Sequence, residues 1–346
     1  MRRRPLGRTG ETISACGLGC MMFGSQLDKA ASAAQMEYAL ERGVDFFDTA
    51  EFYSIPPQPD TQGESERLIG EWFSETGRRD EVFLASKING RAPLPWFREG
   101  GEDTRLTEAQ IDFAVENSLK RLKTDRIDLY QIHWPDRDVW AFGPKYFKPY
   151  DSDFEPFEDI LGRLARHVEK GNIRHIGLSN ETPWGLMRFL QESERRGLPR
   201  IVTIQNLFNM TCRIFEYGLA EMALQEDVGL LAYSPIGQGF LTGKYLGGVN
   251  PEGSRKRRYD RMQRYETPSA DAAIGRYVDL ARANDIDPAQ MAVRFCDTRP
   301  FTASTIIGAS SMAQLKTALD AFDLDWTDDL ETRVNAIHID TPNPVT

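Results

Sequence analysis

Apolar residues in this chain fall into short, nearly unbroken runs, separated by longer stretches in which they recur every three or four positions. The short runs cover residues 17–20, 44–48, 82–87, 127–133, 173–179, 202–206, 229–233 and 304–307. Runs of this length, rich in β-formers and with little polar alternation, suit strands buried on both faces of a parallel sheet. The amphipathic stretches between them, such as 109–122, 157–170, 186–195 and 288–296, read as helices. Strand–helix alternation implies parallel βαβ units. Eight such units predict an α/β fold, a closed (β/α)8 TIM barrel, with a doubly wound open sheet as the alternative. Ahead of the first run, Pro5-Leu6-Gly7, Arg8-Thr9-Gly10 and Thr12-Ile13-Ser14 read as a β-hairpin over about residues 1–14, placed to plug the bottom of the barrel.

Most of the strand candidates end in polar residues: Asp48, Lys87, His133, Ser179-Asn180, Gln205-Asn206 and Tyr233-Ser234. In a parallel barrel all strand C-termini meet at one face, where active sites form. Three connections, 89–107, 134–156 and 235–268, are long enough to expect functional loops at that face. The second carries Trp134, Trp140, Phe142, Tyr146, Phe147 and Tyr150, which suits either an apolar substrate wall or a loop packed on itself. The third carries Arg255-Lys256-Arg257-Arg258 and Arg261, a solvated basic stretch or a clamp on a phosphate-bearing cofactor.

Composition narrows the function. The 346 residues are 40% hydrophobic and 27% charged, ordinary for a globular chain. One domain spanning 1–346 is expected, because barrels use chains of this length whole. A net charge of -10 argues against nucleic acid or an anionic membrane as partner. No segment has the apolar length to span a bilayer, and no signal-type stretch follows Arg2-Arg3-Arg4, so a cytoplasmic protein is expected. Cys16, Cys20, Cys212 and Cys296 show neither a CxxC pair nor zinc spacing, and the four histidines do not cluster. Reduced thiols and no metal are expected. Homo-oligomerisation is left open.

The chemistry sits on successive strand ends. Asp48-Thr49-Ala50-Glu51-Phe52-Tyr53 leaves the second strand, Lys87 ends the third and His133 the fourth. A free tyrosine has a pKa near 10 and is a poor acid at neutral pH. A neighbouring Lys⁺ would lower it, a carboxylate would hold the lysine, and an imidazole would polarise a carbonyl oxygen. Together the four make a proton-donating site for carbonyl reduction. Taken singly each has an ordinary structural reading.

This pattern resembles the aldo-keto reductase superfamily, and within it the bacterial Tas-type proteins and, more distantly, the potassium-channel β subunits. The resemblance runs from Gly17-Leu18-Gly19-Cys20-Met21-Met22-Phe23-Gly24 through Gly177-Leu178-Ser179-Asn180, Ile201-Val202-Thr203-Ile204-Gln205-Asn206, Tyr233-Ser234-Pro235 and Leu241-Thr242-Gly243-Lys244-Tyr245 to Ile307-Gly308-Ala309-Ser310. It implies that Tyr53 is the general acid, tuned by Lys87 and Asp48, and that His133 orients the carbonyl. It also implies a bound NADP(H). Ser179, Asn180 and Gln205 would hold the nicotinamide carboxamide and Tyr233 would stack on the ring. Ser234, Pro235, Ile236 and Lys244 would line the pyrophosphate path, and Gly308, Ser310 and Gln314 would receive the 2′-phosphate.

Trp134 and Trp140 are expected to wall the site for a small carbonyl substrate. Cys20 stands where the family usually has Thr, Ser54 where Gly is common, and Ala318 where Asn often contacts adenine. No Arg or Lys lies between Gly308 and Gln314, and no GxGxxG follows a strand. The expected function is hydride transfer between NADPH and an aldehyde or ketone. The rivals are a slowly turning cofactor sensor like the channel subunits, and a lyase using Lys87 as a Schiff base.

Overall fold

A computed structural model of the chain describes residues 1–139, 153–258 and 263–345. Two short antiparallel strands, β1 (Arg3–Pro5) and β2 (Thr12–Ser14), form the N-terminal hairpin. Eight parallel strands follow: β3 (Cys16–Gly19), β4 (Phe46–Asp48), β5 (Phe83–Ile88), β6 (Ile127–Ile132), β7 (Ile173–Ser179), β8 (Ile201–Leu207), β9 (Gly229–Tyr233) and β10 (Thr302–Ile307). They close in sequence order, with β10 hydrogen-bonded to both β9 and β3. The closed ring excludes the open sheet.

Each barrel strand leads to a helix on the outside, and the helix starts carry local signals. Thr182-Pro183, Thr267-Pro268 and Asp287-Pro288 each place a side-chain oxygen on a free backbone N–H, with proline in the first helical position. One predicted strand is shorter than its apolar run. Val44 is used to close the helix before it, through Val44 N to Ala39 O, and Asp45 turns to the hairpin. There the Asp45 carboxylate accepts from Ser14 N at 3.0 Å, while Asp45 N donates to Ser14 Oγ at 3.2 Å.

Alternation along each strand sorts the barrel interior into layers, because residues two apart share a face. Phe46, Ala85, Leu129 and Leu231 form an apolar floor together with Ile306. Two residues further on, the same faces carry Asp48, Lys87, Gln131 and Tyr233. Gly17 is required in the lower layer: a Cβ there would lie 2.5 Å from Ile306 Cδ1 and 2.7 Å from Phe46 Cδ1. The interior is thus a packed apolar plug below and a polar platform above.

The hairpin seals the lower end, as expected. Leu6 and Ile13 are wholly buried in the same cluster as Phe46 and Leu129. Arg2 and Arg4 both reach the buried carboxylate of Asp297, and Arg4 also donates to Thr302 O at 2.6 Å. Ile13→Ala is therefore expected to destabilise the fold by about 2–5 kcal/mol, the usual range for such a truncation in a packed core. Urea unfolding measures it. A loss below about 1 kcal/mol would mean that the hairpin lies on the barrel without filling it.

Candidate active site

At the C-terminal end of the barrel a cavity of about 2100 Å³ runs from the polar platform to the helix Met312–Asp320. That is more than a drug-sized ligand fills and suits a dinucleotide with a substrate beside it. At its inner end lies the cluster expected from the sequence. Lys87 is fully buried and donates to Asp48 Oδ2 at 2.6 Å and to Thr49 O at 2.8 Å. The other carboxylate oxygen of Asp48 accepts from Gln131 Nε2 at 3.0 Å and Gln205 Nε2 at 2.8 Å. The Lys87 ammonium sits 4.9 Å from the centroid of the Tyr53 ring. The Tyr53 and His133 rings meet edge to face at 5.6 Å. Asp48, Tyr53 and His133 line the cavity, and Lys87 lies beneath them.

The electrostatics differ from the sequence expectation at one point. A lysine was expected to lower the Tyr53 pKa. Burial instead raises it well above the ordinary phenol value, and the Asp48 charge adds to the rise. Tyr53 is therefore a neutral phenol throughout the physiological range, holding its proton. Burial pushes the Lys87 pKa down, opposed by Asp48. Burial, helped by the Lys87 charge, holds His133 well below the ordinary imidazole value, so the ring is neutral. Its Nδ1 is buried with no hydrogen-bond partner among the described residues.

The other expected residues converge on the same cavity. Ser179, Asn180, Gln205, Tyr233, Ser234, Pro235, Ile236, Lys244, Gly308, Ser310 and Gln314 all line it, as does Trp134. Ser179 Oγ donates to Gln205 O at 2.8 Å, and Asn180 links His133 O to the Tyr233 hydroxyl at 2.9 and 2.8 Å. Gln205 spends its amide N–H on Asp48, which leaves its carbonyl oxygen for a ligand. Gln314 accepts from Ser310 N at 2.9 Å and Ser310 Oγ at 3.0 Å, and Ser311 caps the helix that follows. Gly239 has φ +97°, and a Cβ there would fall 2.9 Å from Lys244 Cε, so the backbone runs close beneath that side chain. Trp140 lies outside the described residues, as does Arg261.

The sequence reading passed over several residues. Gln131 supports Asp48, and its inward position follows from lying two residues beyond Leu129 on β6. Phe52 packs edge-on against His133 and Trp134 at 5.7 and 5.4 Å. Arg255 and Arg264 line the cavity, so part of the basic stretch faces the site while Arg257 and Arg258 are exposed.

A family model described as "Aldo/keto reductase family" matches residues 15–339. The chain belongs to the aldo/keto reductase family. It is 43% identical over 328 residues to the protein tas of Escherichia coli, covering 94% of each chain. It is 31% identical over 289 residues to the aldo-keto reductase yakc [NADP(+)] of Schizosaccharomyces pombe, covering 82% of this chain and 76% of that one. A probable voltage-gated potassium channel subunit beta of Arabidopsis thaliana is 26% identical over 330 residues, covering 94% of this chain. Family membership makes the chain an oxidoreductase, of a family that generally uses NAD(P)H. Among the described residues no metal-holding cluster forms and no helix is long and apolar enough to cross a membrane.

The depressed His133 pKa has a measurable consequence. Below pH about 6.5 the unfolded chain takes up a proton that the folded chain refuses. This contribution to stability is complete above pH 6.5 and is lost progressively as the pH falls. The loss approaches about 1.4 kcal/mol per pH unit. In His133→Gln the fall in stability between pH 6.5 and 5 should be shallower than in the wild type by up to one proton. Parallel slopes in urea titrations of the two proteins would show that His133 protonates freely in the fold.

Proposed function

We propose that this chain reduces aldehydes or ketones with NADPH, Tyr53 serving as the general acid. The observation that carries the reading is the joint placement of the neutral Tyr53 phenol, the neutral His133 imidazole and the Asp48–Lys87 pair at the inner end of the long cavity. The residues suit a dinucleotide along its length. Gln205 offers a carbonyl oxygen and Tyr233 a ring near the catalytic end, and the capped helix start with Ser310 and Gln314 lies at the other.

The bound cofactor would supply the hydride. His133 would donate one hydrogen bond to the carbonyl oxygen of the substrate and so fix the orientation of the carbon. Tyr53 would release its phenolic proton to that oxygen as negative charge develops there. Lys87 would stabilise the resulting phenolate across the short distance to the ring, and Asp48 would keep the lysine in place. Phe52 and Trp134 would exclude water from the substrate side. A Schiff-base role for Lys87 fits poorly, since its ammonium is buried and committed to Asp48 and Thr49 O.

Removing the proton donor as Tyr53→Phe should lower turnover of an aldehyde by about 10²–10⁴-fold, the usual share of general acid assistance. The affinity for NADPH should hold. A phenylalanine variant turning over at the wild-type rate would rule out this acid.

The preference for NADPH rests on the far end of the cavity. No carboxylate stands between Gly308 and Gln314 to bind ribose hydroxyls and repel a phosphate. A capped helix start offers N–H donors to an anion at that end. The Gln314 carboxamide oxygen is occupied by Ser310, which leaves the amide N–H groups as donors. Hydrogen bonds to charged groups contribute about 1.5–3 kcal/mol. Gln314→Ala should therefore weaken NADPH binding roughly 10- to 100-fold while leaving NADH nearly unchanged. Fluorescence titration of both cofactors is the check. Equal wild-type affinity for the two would remove the NADP assignment.

A further inference from the structure

Tyr53 lies past the end of β4, on a turn that backbone bonds to β5 hold only as far as Glu51. A buried ion pair meets the chain two residues before it. Glu51 is about 1% exposed and is paired with Arg98, which comes from the long connection after β5. The pairing is bidentate, Arg98 Nη1 to Glu51 Oε2 at 3.0 Å and Nη2 to Oε1 at 3.1 Å. The same carboxylate accepts from Asn89 N at 2.8 Å, and Glu51 N donates to Lys87 O at 3.2 Å. The guanidinium is held from behind by Gln110, whose Oε1 accepts from Arg98 Nε at 3.0 Å. Gln110 stands on the helix Glu108–Leu122, so the clamp is anchored in the outer ring of the barrel.

A second contact runs parallel to the first. Phe97, next to Arg98, stacks on Phe52, next to Glu51, with ring centres 5.7 Å apart. Phe52 in turn packs against His133 and Trp134. One dipeptide, Phe97-Arg98, therefore grips both residues that precede Tyr53, one by charge and one by ring. A buried guanidinium and a buried carboxylate are each costly alone, so the arrangement has few alternatives close in energy.

From this juxtaposition we infer that Arg98 is a positioning residue. By clamping Glu51 it sets where the Tyr53 hydroxyl lies relative to His133 and where the Phe52 wall stands. The inference rests on the reading of Tyr53 as the acid, and extends it to a residue that touches neither substrate nor cofactor. Misplacement of a reacting group by about 1 Å commonly costs on the order of 10²-fold in rate. Loss of the clamp should thus lower kcat and leave NADPH binding alone, since the candidate cofactor residues lie on β7, β8 and β9 and in the segments that follow β7, β9 and β10.

The test compares the wild type, Arg98→Met, Arg98→Lys and the milder Glu51→Gln. Steady-state kinetics with an aromatic aldehyde, NADPH titration and amide hydrogen exchange read by mass spectrometry are run on each. Arg98→Met should lose about 10–100-fold in kcat with the NADPH dissociation constant unchanged. Exchange should speed up in peptides covering 49–54 and 89–98 and stay slow in the barrel strands. Arg98→Lys, which keeps the charge, should recover part of the rate. Glu51→Gln gives the same ordering if Arg98→Met does not fold. Wild-type kcat in a folded Arg98→Met, or exchange that speeds up evenly across the molecule, overturns the positioning role. A wild type without carbonyl turnover would sink the functional reading instead, and the local exchange pattern would still report on the clamp.

Discussion

The ion pair between Lys87 and Asp48 is the constraint around which the upper half of this barrel is arranged. Neither charge can be held in a packed interior alone, and burying both is costly even when they meet. The surrounding strands answer that cost group by group. Thr49 O takes a second lysine hydrogen, and Gln131 and Gln205 saturate the other carboxylate oxygen. Each partner comes from a different strand or turn, so the pair can form only when β4, β5, β6 and β8 stand in register. Burial, with the Asp48 charge beside it, makes Tyr53 keep its proton. The lysine charge is answered from below, and the phenol above it is left in an apolar, poorly solvated place.

Period-two alternation turns this local demand into a layered barrel. Apolar side chains fill the floor, where only shape matters, and polar ones appear a single step higher, where a ligand can reach them. Gly17 and Ala85 keep the floor from overfilling. The plug formed by Leu6 and Ile13 then removes water from below, so the polar platform opens in one direction only.

Much of this was legible in the sequence because it depends on strand ends. Eight apolar runs gave the barrel, and the polar residue closing most of them gave the platform. All the residues assigned from strand ends to the catalytic cluster meet in one place, and the cofactor candidates line one cavity with them. What escaped depends on contacts that no local pattern encodes. Arg98 reads as one more polar residue in a loop, and only the fold brings it to Glu51. The Tyr53 pKa was misjudged because the burial of the phenol, which raises it most, has no local sequence signal. Residues 44–45 look like strand because Val44 is apolar, yet Val44 N closes the preceding helix and the Asp45 carboxylate holds the hairpin, while Asp45 O still accepts from Phe83 N. The aromatic connection was legible only as composition, and of its tryptophans Trp134 takes a place on the cavity wall.

The hairpin also bears on the order in which the molecule can be assembled. Arg2 and Arg4 reach Asp297, and β3 pairs with β10, so residues made early complete their contacts with residues made almost 300 positions later. Until β10 leaves the ribosome, β3 and β9 each present an unpaired edge, the kind of surface on which strands of other chains add. Contacts this distant in sequence also slow folding, because the chain between them must be ordered first. Barrel closure thus waits for β10, and the nascent chain carries two open edges while residues 234–307 are being made.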